Sequence, residues 1–160
     1  MSVTGCSSGI GLAVTEALIK LGAEVVGMSR RAPNLDLASF LALDLASVSS
    51  IESVASSVEG TVDALFNCAG APPTLPSIEL LKVNFLGPRL LTEYLVESMS
   101  AGSAIANVSS SVACGWRARL DLLNEFTATR SFDDGVAWYE KHEGVAGHGY
   151  PFSKEALNVW

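Results

Sequence analysis

A doubly wound α/β fold built on a parallel sheet is the class this sequence predicts. Two observations lead there. Short apolar runs alternate with amphipathic stretches at helical spacing along the 160 residues, and a glycine-rich turn joins the first apolar run to the first helical stretch. In sheets of this kind ligands bind outside the carboxyl ends of the strands.

The elements follow in order. "SVT" is a short first strand. "GIGLAVTEALIKLG" sets Ile10, Ala13, Val14, Ala17, Leu18 and Leu21 at helical spacing and closes at Gly22, a suitable C-terminal cap. "AEVVGMS" reads as a buried strand, and "FLALDLA" as a third strand with an aspartate at its end. "SVSSIESVASSVEG" reads as an amphipathic helix ending at Gly60. "VDALFNCAG" is a fourth strand and a turn. A long helical stretch, "SIELLKVNFLGPRLLTEYLVESMSAG", contains Pro88, which predicts a kink or local irregularity. "SAIANVSSS" is a fifth strand. The segment from Val112 to Gly149 carries two helices. "RARLDLLNEF" places Leu120, Leu123 and Phe126 on one face, and "SFDDGVAWYEKH" begins with Ser131 as N-cap. The last helix opens with "YPFSKEAL", where Pro151 falls in the first turn and its missing N–H costs little.

Composition narrows the class. Half the residues (49%) are apolar and 17% are charged, which suits one domain, 1–160, with a filled core. The net charge of −7 argues against a nucleic-acid partner, since phosphate binding needs a basic surface. Cys6, Cys68 and Cys114 are widely spaced and form no CxxC, which reads as reduced thiols in a cytoplasmic protein. His142 and His148 belong to no metal-binding pattern. No apolar run reaches the length of a membrane span.

The chemistry-bearing residues sit where the strands end. In "TGCSSGIG", Gly5 permits a tight turn, Gly9 lets a pyrophosphate approach the backbone, and Gly11 allows close helix–strand packing. The helix N-terminus adds N–H donors and a partial positive charge. This motif resembles the cofactor turn of the short-chain dehydrogenase/reductase family. Further stretches resemble that family in the same order: "NCAG" at Asn67 to Gly70, with Cys68 departing from its usual asparagine; "VNFLG" at Val83 to Gly87; "NVSS" at Asn107 to Ser110; and the pair Tyr150 and Lys154.

The resemblance spans Thr4 to Trp160 and implies a Rossmann-like sheet with helices on both faces, acting on a small-molecule alcohol or carbonyl as a homo-oligomer. It implies a catalytic set of Asn84, Ser110, Tyr150 and Lys154, with Ser111 the alternative register for the serine. It also implies cofactor contacts from Gly5, Ser7, Ser8, Gly9, Ile10, Ser29, Arg30, Asp44, Leu45, Ala69 and Gly70, besides Tyr150 and Lys154. The chemistry is coherent. Tyr150 and Lys154 are four apart on a helix and share a face. An ammonium beside a phenol stabilises the phenolate, so the tyrosine can exchange a proton with the substrate oxygen. A serine hydroxyl can hydrogen-bond that oxygen, and in the family the asparagine shapes a helix distortion and anchors a relay water.

The end of the second strand bears on the cofactor. Ser29 stands where NAD-preferring relatives carry an aspartate, and Arg30 and Arg31 follow. A hydroxyl with planar guanidinium groups suits a 2′-phosphate, which points to NADP, with NAD the alternative. The inserted segment 112–149 resembles those of two groups within the family, the 3α-hydroxysteroid dehydrogenase/carbonyl reductases and the coniferyl-alcohol dehydrogenases. The second is favoured by Trp116, Ala118 to Leu120, Ala137-Trp138 and "KEALNVW". An aryl alcohol of coniferyl type is the substrate this implies. A hydroxysteroid or carbonyl substrate is the alternative, and a catalytically silent nucleotide-binding regulator is an alternative of another class. Family members continue past the tyrosine helix by about half this length again, so the expectation is an N-terminal fragment lacking the C-terminal strands and the substrate lid.

Overall fold

The computed structural model describes residues 1–160 and organises them into two compact units. The first comprises Met1–Ala69 and Leu91–Val108, the second Gly70–Leu90 and Ser109–Trp160.

The first unit holds the whole sheet. Strands β1 (Ser2–Thr4), β2 (Val26–Ser29), β3 (Ser39–Ala42), β4 (Ala64–Asn67) and β5 (Ala104–Asn107) lie in the order β3-β2-β1-β4-β5. Every pairing is parallel; Thr4, for example, is in register with Met28 on one side and Asn67 on the other. The strand order reverses at β1, so the crevice at its carboxyl end is the switch point of a doubly wound sheet. The parallel Rossmann-like sheet is therefore the architecture expected from the alternating pattern. Helices α1 (Gly9–Lys20) and α2 (Val48–Ser57) follow β1 and β3. Val3, Met28, Ile51, Leu65 and Leu91 are essentially inaccessible and form this unit's core. Gly22 takes φ +81° at the end of α1, as a C-terminal cap requires, and its N–H donates to the Ile19 carbonyl at 2.9 Å.

Helix α1 departs from its apolar pattern. Its buried residues are Gly11 and Thr15, whereas Ile10 and Leu21 are 59% and 83% exposed. The glycine turn fixes this choice of face. A Cβ at Gly11 would run into the Gly5 carbonyl, so the helix lies on its glycine, and Thr15 satisfies its hydroxyl by donating to the Gly11 carbonyl at 2.8 Å. The stripe of Ile10, Ala13, Ala17 and Leu21 turns away from that contact.

The second unit is helical. It contains α3 (Ser77–Leu81), a π-helical turn at Lys82–Leu86, the start of α4 (Gly87–Leu95), and 3₁₀ turns at Ser111–Ala113 and Trp116–Arg119. Helices α5 (Leu120–Thr127), α6 (Phe132–Ala146) and α7 (Gly149–Val159) complete it. The irregularity expected at Pro88 is this π turn. Proline offers no N–H to the carbonyl four residues back, and the helix widens just before it. Ser131 caps α6 as expected, accepting from the Asp134 N–H at 3.0 Å. An aromatic cluster fills the unit: Phe126 stands 5.1 Å from Phe85, 5.2 Å from Trp138 and 5.1 Å from Phe152, measured between ring centroids. Each such pair contributes about 0.5–1.5 kcal/mol beyond its buried area. No helix is long and apolar enough to cross a membrane.

Candidate active site

The residues of the first unit expected to contact a cofactor cluster at the carboxyl ends of β1, β2 and β3. Gly5 has φ +71°, and a Cβ there would sit 2.8 Å from the Ala69 backbone, so the turn closes only on glycine. Gly9 has φ +58° with nothing within 4 Å of where its Cβ would be. Ser8 is the N-cap of α1 in an extended conformation and makes no side-chain cap bond. A positive-φ glycine facing open space and a helix start lacking its usual side-chain cap together fit a phosphate group. Ser7, Ser8, Gly9 and Ile10 are all accessible there.

Ser29 is buried, 7% exposed, and its hydroxyl donates to the Arg31 carbonyl at 2.6 Å with Cys6 Sγ 3.3 Å away. Its hydroxyl hydrogen is thus spent on shaping the turn that carries Arg30 and Arg31, both of which are exposed. Burial pushes the Cys6 thiol upward in pKa, so it stays protonated. Asp44 accepts from the Ala46 N–H at 2.9 Å through Oδ1, while Leu45 is buried. Thr4 Oγ1, which pattern reading passed over, accepts from the N–H groups of Cys68 and Ala69, both at 3.1 Å, and so pins the "NCAG" turn to β1.

The second unit gathers the residues expected to handle the proton. Asn84, in the π turn, is 1% exposed; its Oδ1 accepts from the Ala71 N–H at 2.7 Å and its Nδ2 donates to the Ala71 carbonyl at 3.4 Å. Lys154 lies on α7, 5% exposed. The two side chains converge on one glycine: a Cβ at Gly70 would stand 3.4 Å from Asn84 Oδ1 and 3.9 Å from Lys154 Nζ. Burial pushes the Lys154 ammonium below the usual lysine pKa. Tyr150 is half-buried one turn before Lys154 on the same helix.

Ser110 is half-buried and caps the turn at Ser111–Ala113 through its hydroxyl, whereas Ser111 is exposed. Ser109 donates to the Lys154 carbonyl at 3.2 Å. Two further residues fix where α7 begins. His148 is its N-cap, Nδ1 accepting from the Tyr150 N–H at 3.2 Å. Gly149 donates to Ser77 Oγ at 3.1 Å, and a Cβ on it would collide with the Ser77 backbone. Neither carries a motif, and only the packing reveals them.

With a glycine cradle at the switch point of one unit and a Tyr-x-x-x-Lys helix beside a buried asparagine in the other, the chain belongs to the short chain dehydrogenase family, whose model matches residues 1–119. Its similarity to individual members is substantial. It is 37% identical to a coniferyl-alcohol dehydrogenase of Pseudomonas sp. (strain HR199 / DSM 7063) over 158 residues, covering 99% of this chain and 62% of that protein. It is 30% identical to a D-threitol dehydrogenase of Mycolicibacterium smegmatis, covering 91% of this chain and 59% of that one. Among solved structures, the 3-alpha-hydroxysteroid dehydrogenase from Pseudomonas sp. B-0831, complexed with NADH, superposes with a TM-score of 0.78 at 27% identity, over 98% of this chain and 61% of that chain. The chain thus spans less than two thirds of the length of these relatives.

Proposed function

We propose that the protein is an NADP-dependent oxidoreductase that interconverts an alcohol and a carbonyl, with an aryl alcohol of coniferyl type as substrate. The observation that carries this reading is the convergence of Asn84 and Lys154 on Gly70, with Tyr150 one turn ahead of Lys154 on α7.

The roles follow from chemistry. Tyr150, as phenolate, takes the proton from the substrate hydroxyl during oxidation and returns it to the carbonyl oxygen during reduction. Lys154 stabilises the phenolate by its charge and holds the nicotinamide ribose. Desolvation makes that ammonium a stronger electrostatic partner than an exposed one would be. Ser110 donates to the substrate oxygen and fixes its position. Asn84, pinned to Ala71, keeps the π turn open and anchors a water that connects the lysine to solvent. The bound nicotinamide supplies the hydride acceptor in oxidation and the donor in reduction.

In the first unit, Gly5, Ser7, Ser8, Gly9 and Ile10 hold the pyrophosphate and Asp44 and Leu45 the adenine, with Ala69 along the adenosine side. Arg30, with Arg31 beside it, takes the 2′-phosphate, and Ser29 supports them through the Arg31 carbonyl. Cofactor titrations test this assignment. Arg30→Ala should weaken NADP binding by about tenfold or more, as for loss of a charged hydrogen bond, and leave NAD nearly unchanged. Equal losses for both would overturn the NADP assignment.

The likeness to the 3-alpha-hydroxysteroid dehydrogenase supports a second reading, in which the substrate is a bulkier cyclic alcohol. Coniferyl alcohol stands first because sequence identity to that dehydrogenase is higher. Side-by-side turnover of the two alcohols discriminates them. A silent nucleotide-binding regulator would turn over neither.

A further inference from the structure

The corner between α6 and α7 is built from a glycine in the left-handed region, Gly147 at φ +73°, followed by the capping His148. Such a joint leaves the angle of α7 to its partners; the Gly149 N–H is tied to Ser77 Oγ at one point, and a second tie comes from the inserted segment. Arg119, from the 3₁₀ turn of the inserted segment, spans the corner. Its Nη2 donates to the carbonyls of Ala146 at 2.6 Å and Val145 at 3.1 Å, at the negative end of α6. Its Nη1 donates to Glu155 Oε2 on α7 at 2.8 Å, and the guanidinium stands 5.3 Å from the centroid of the Phe152 ring. The Glu155 side chain is 7% exposed, and Arg119 is the cation that compensates its removal from water. Glu155 follows Lys154 directly, and Phe152 lies between Tyr150 and Lys154. One guanidinium therefore grips α7 at two points within the turn that bears the proposed proton-handling pair.

We propose that Arg119 and Glu155 are positioning residues, a clamp through which the inserted segment sets the angle and rotation of α7 and hence the placement of Tyr150 and Lys154. The inference rests on the reading of those two residues given above. A lysine could not reproduce it, because a point charge cannot reach a carboxylate and two carbonyls in one plane.

The test compares the protein with Arg119→Lys, Glu155→Gln and the charge-free pair Arg119→Met/Glu155→Leu. The last is included because replacing a buried ion pair by apolar groups of similar volume commonly leaves stability intact. Two readouts are taken: kcat and KM with coniferyl alcohol and NADP, and amide hydrogen exchange along α7, with α2 as an internal reference. All three variants should lose about tenfold or more in kcat with KM little changed, as misplacement of reacting groups does. Amides of α7 should exchange about tenfold faster while those of α2 keep their protection. A double variant with native kcat and native α7 exchange would overturn the clamp. So would faster exchange in α7 and α2 alike, which marks a general loss of stability. Absence of turnover in the unaltered full-length protein would defeat the functional reading, and the exchange comparison would still decide the clamp.

Discussion

Lys154 shows what the site costs at the scale of a residue. Its ammonium is held almost out of solvent, and burial lowers its pKa from the ordinary value. The unfolded chain binds that proton more readily than the folded one, so stability rises with pH between the lowered folded value and the ordinary lysine value. Below that window the burial penalty is present in full. Lys154→Met should therefore raise Tm at neutral pH, with the gain shrinking as pH climbs toward the lysine range. Parallel Tm–pH curves for the two proteins would contradict this. The serine register is tested at the same scale. Ser110→Ala should lower kcat by about 10²-fold, as loss of a donor to the reacting oxygen does, and Ser111→Ala should leave it nearly native; the reverse order would move the role to Ser111. As candidates, Tyr150, Lys154, Asn84 and Ser110 were legible because each occupies a short motif. The bonds of Ser109 and Gly149 were not, because their partners Lys154 and Ser77 lie 45 and 72 positions away in sequence, and the cap at His148 was not, because it belongs to no motif.

Among the elements, helix starts carry most of the positional information. Helix α7 begins at a glycine because Ser77 leaves no room for a side chain. Gly149→Ala should cost about 1–3 kcal/mol, the range for overpacking a filled site, which exceeds the ~0.4–1 kcal/mol that alanine gains by restricting the unfolded chain. A urea midpoint at or above the native one would show that the contact yields. Periodicity located nearly every element, since a strand or helix buries one side whatever the tertiary detail. It misjudged the buried side of α1, where two glycines decide the approach and override the apolar spacing. It gave only a generic irregularity at Pro88, because a π turn and a kink relieve the missing N–H equally well on paper.

At the largest scale, β5 is the last strand of the sheet within residues 1–160, and its residues are exposed throughout, with Ile105 at 40%. An accessible strand edge with an apolar side chain is a template for pairing with another chain. Ile105→Lys should suppress concentration-dependent association of residues 1–160 in sedimentation experiments, and unchanged association would place the sticky surface elsewhere. The central claim is that Tyr150 moves the proton in an alcohol–carbonyl interconversion linked to NADP. Tyr150→Phe keeps the ring and the helix but removes the proton carrier. The most direct measurement is the rate of NADP reduction with coniferyl alcohol by the full-length protein and by this variant, alongside their NADP affinities. The variant should show a fall in kcat of about 10²-fold or more, the size of a lost general acid–base, with cofactor affinity retained. Near-native turnover by Tyr150→Phe would contradict it.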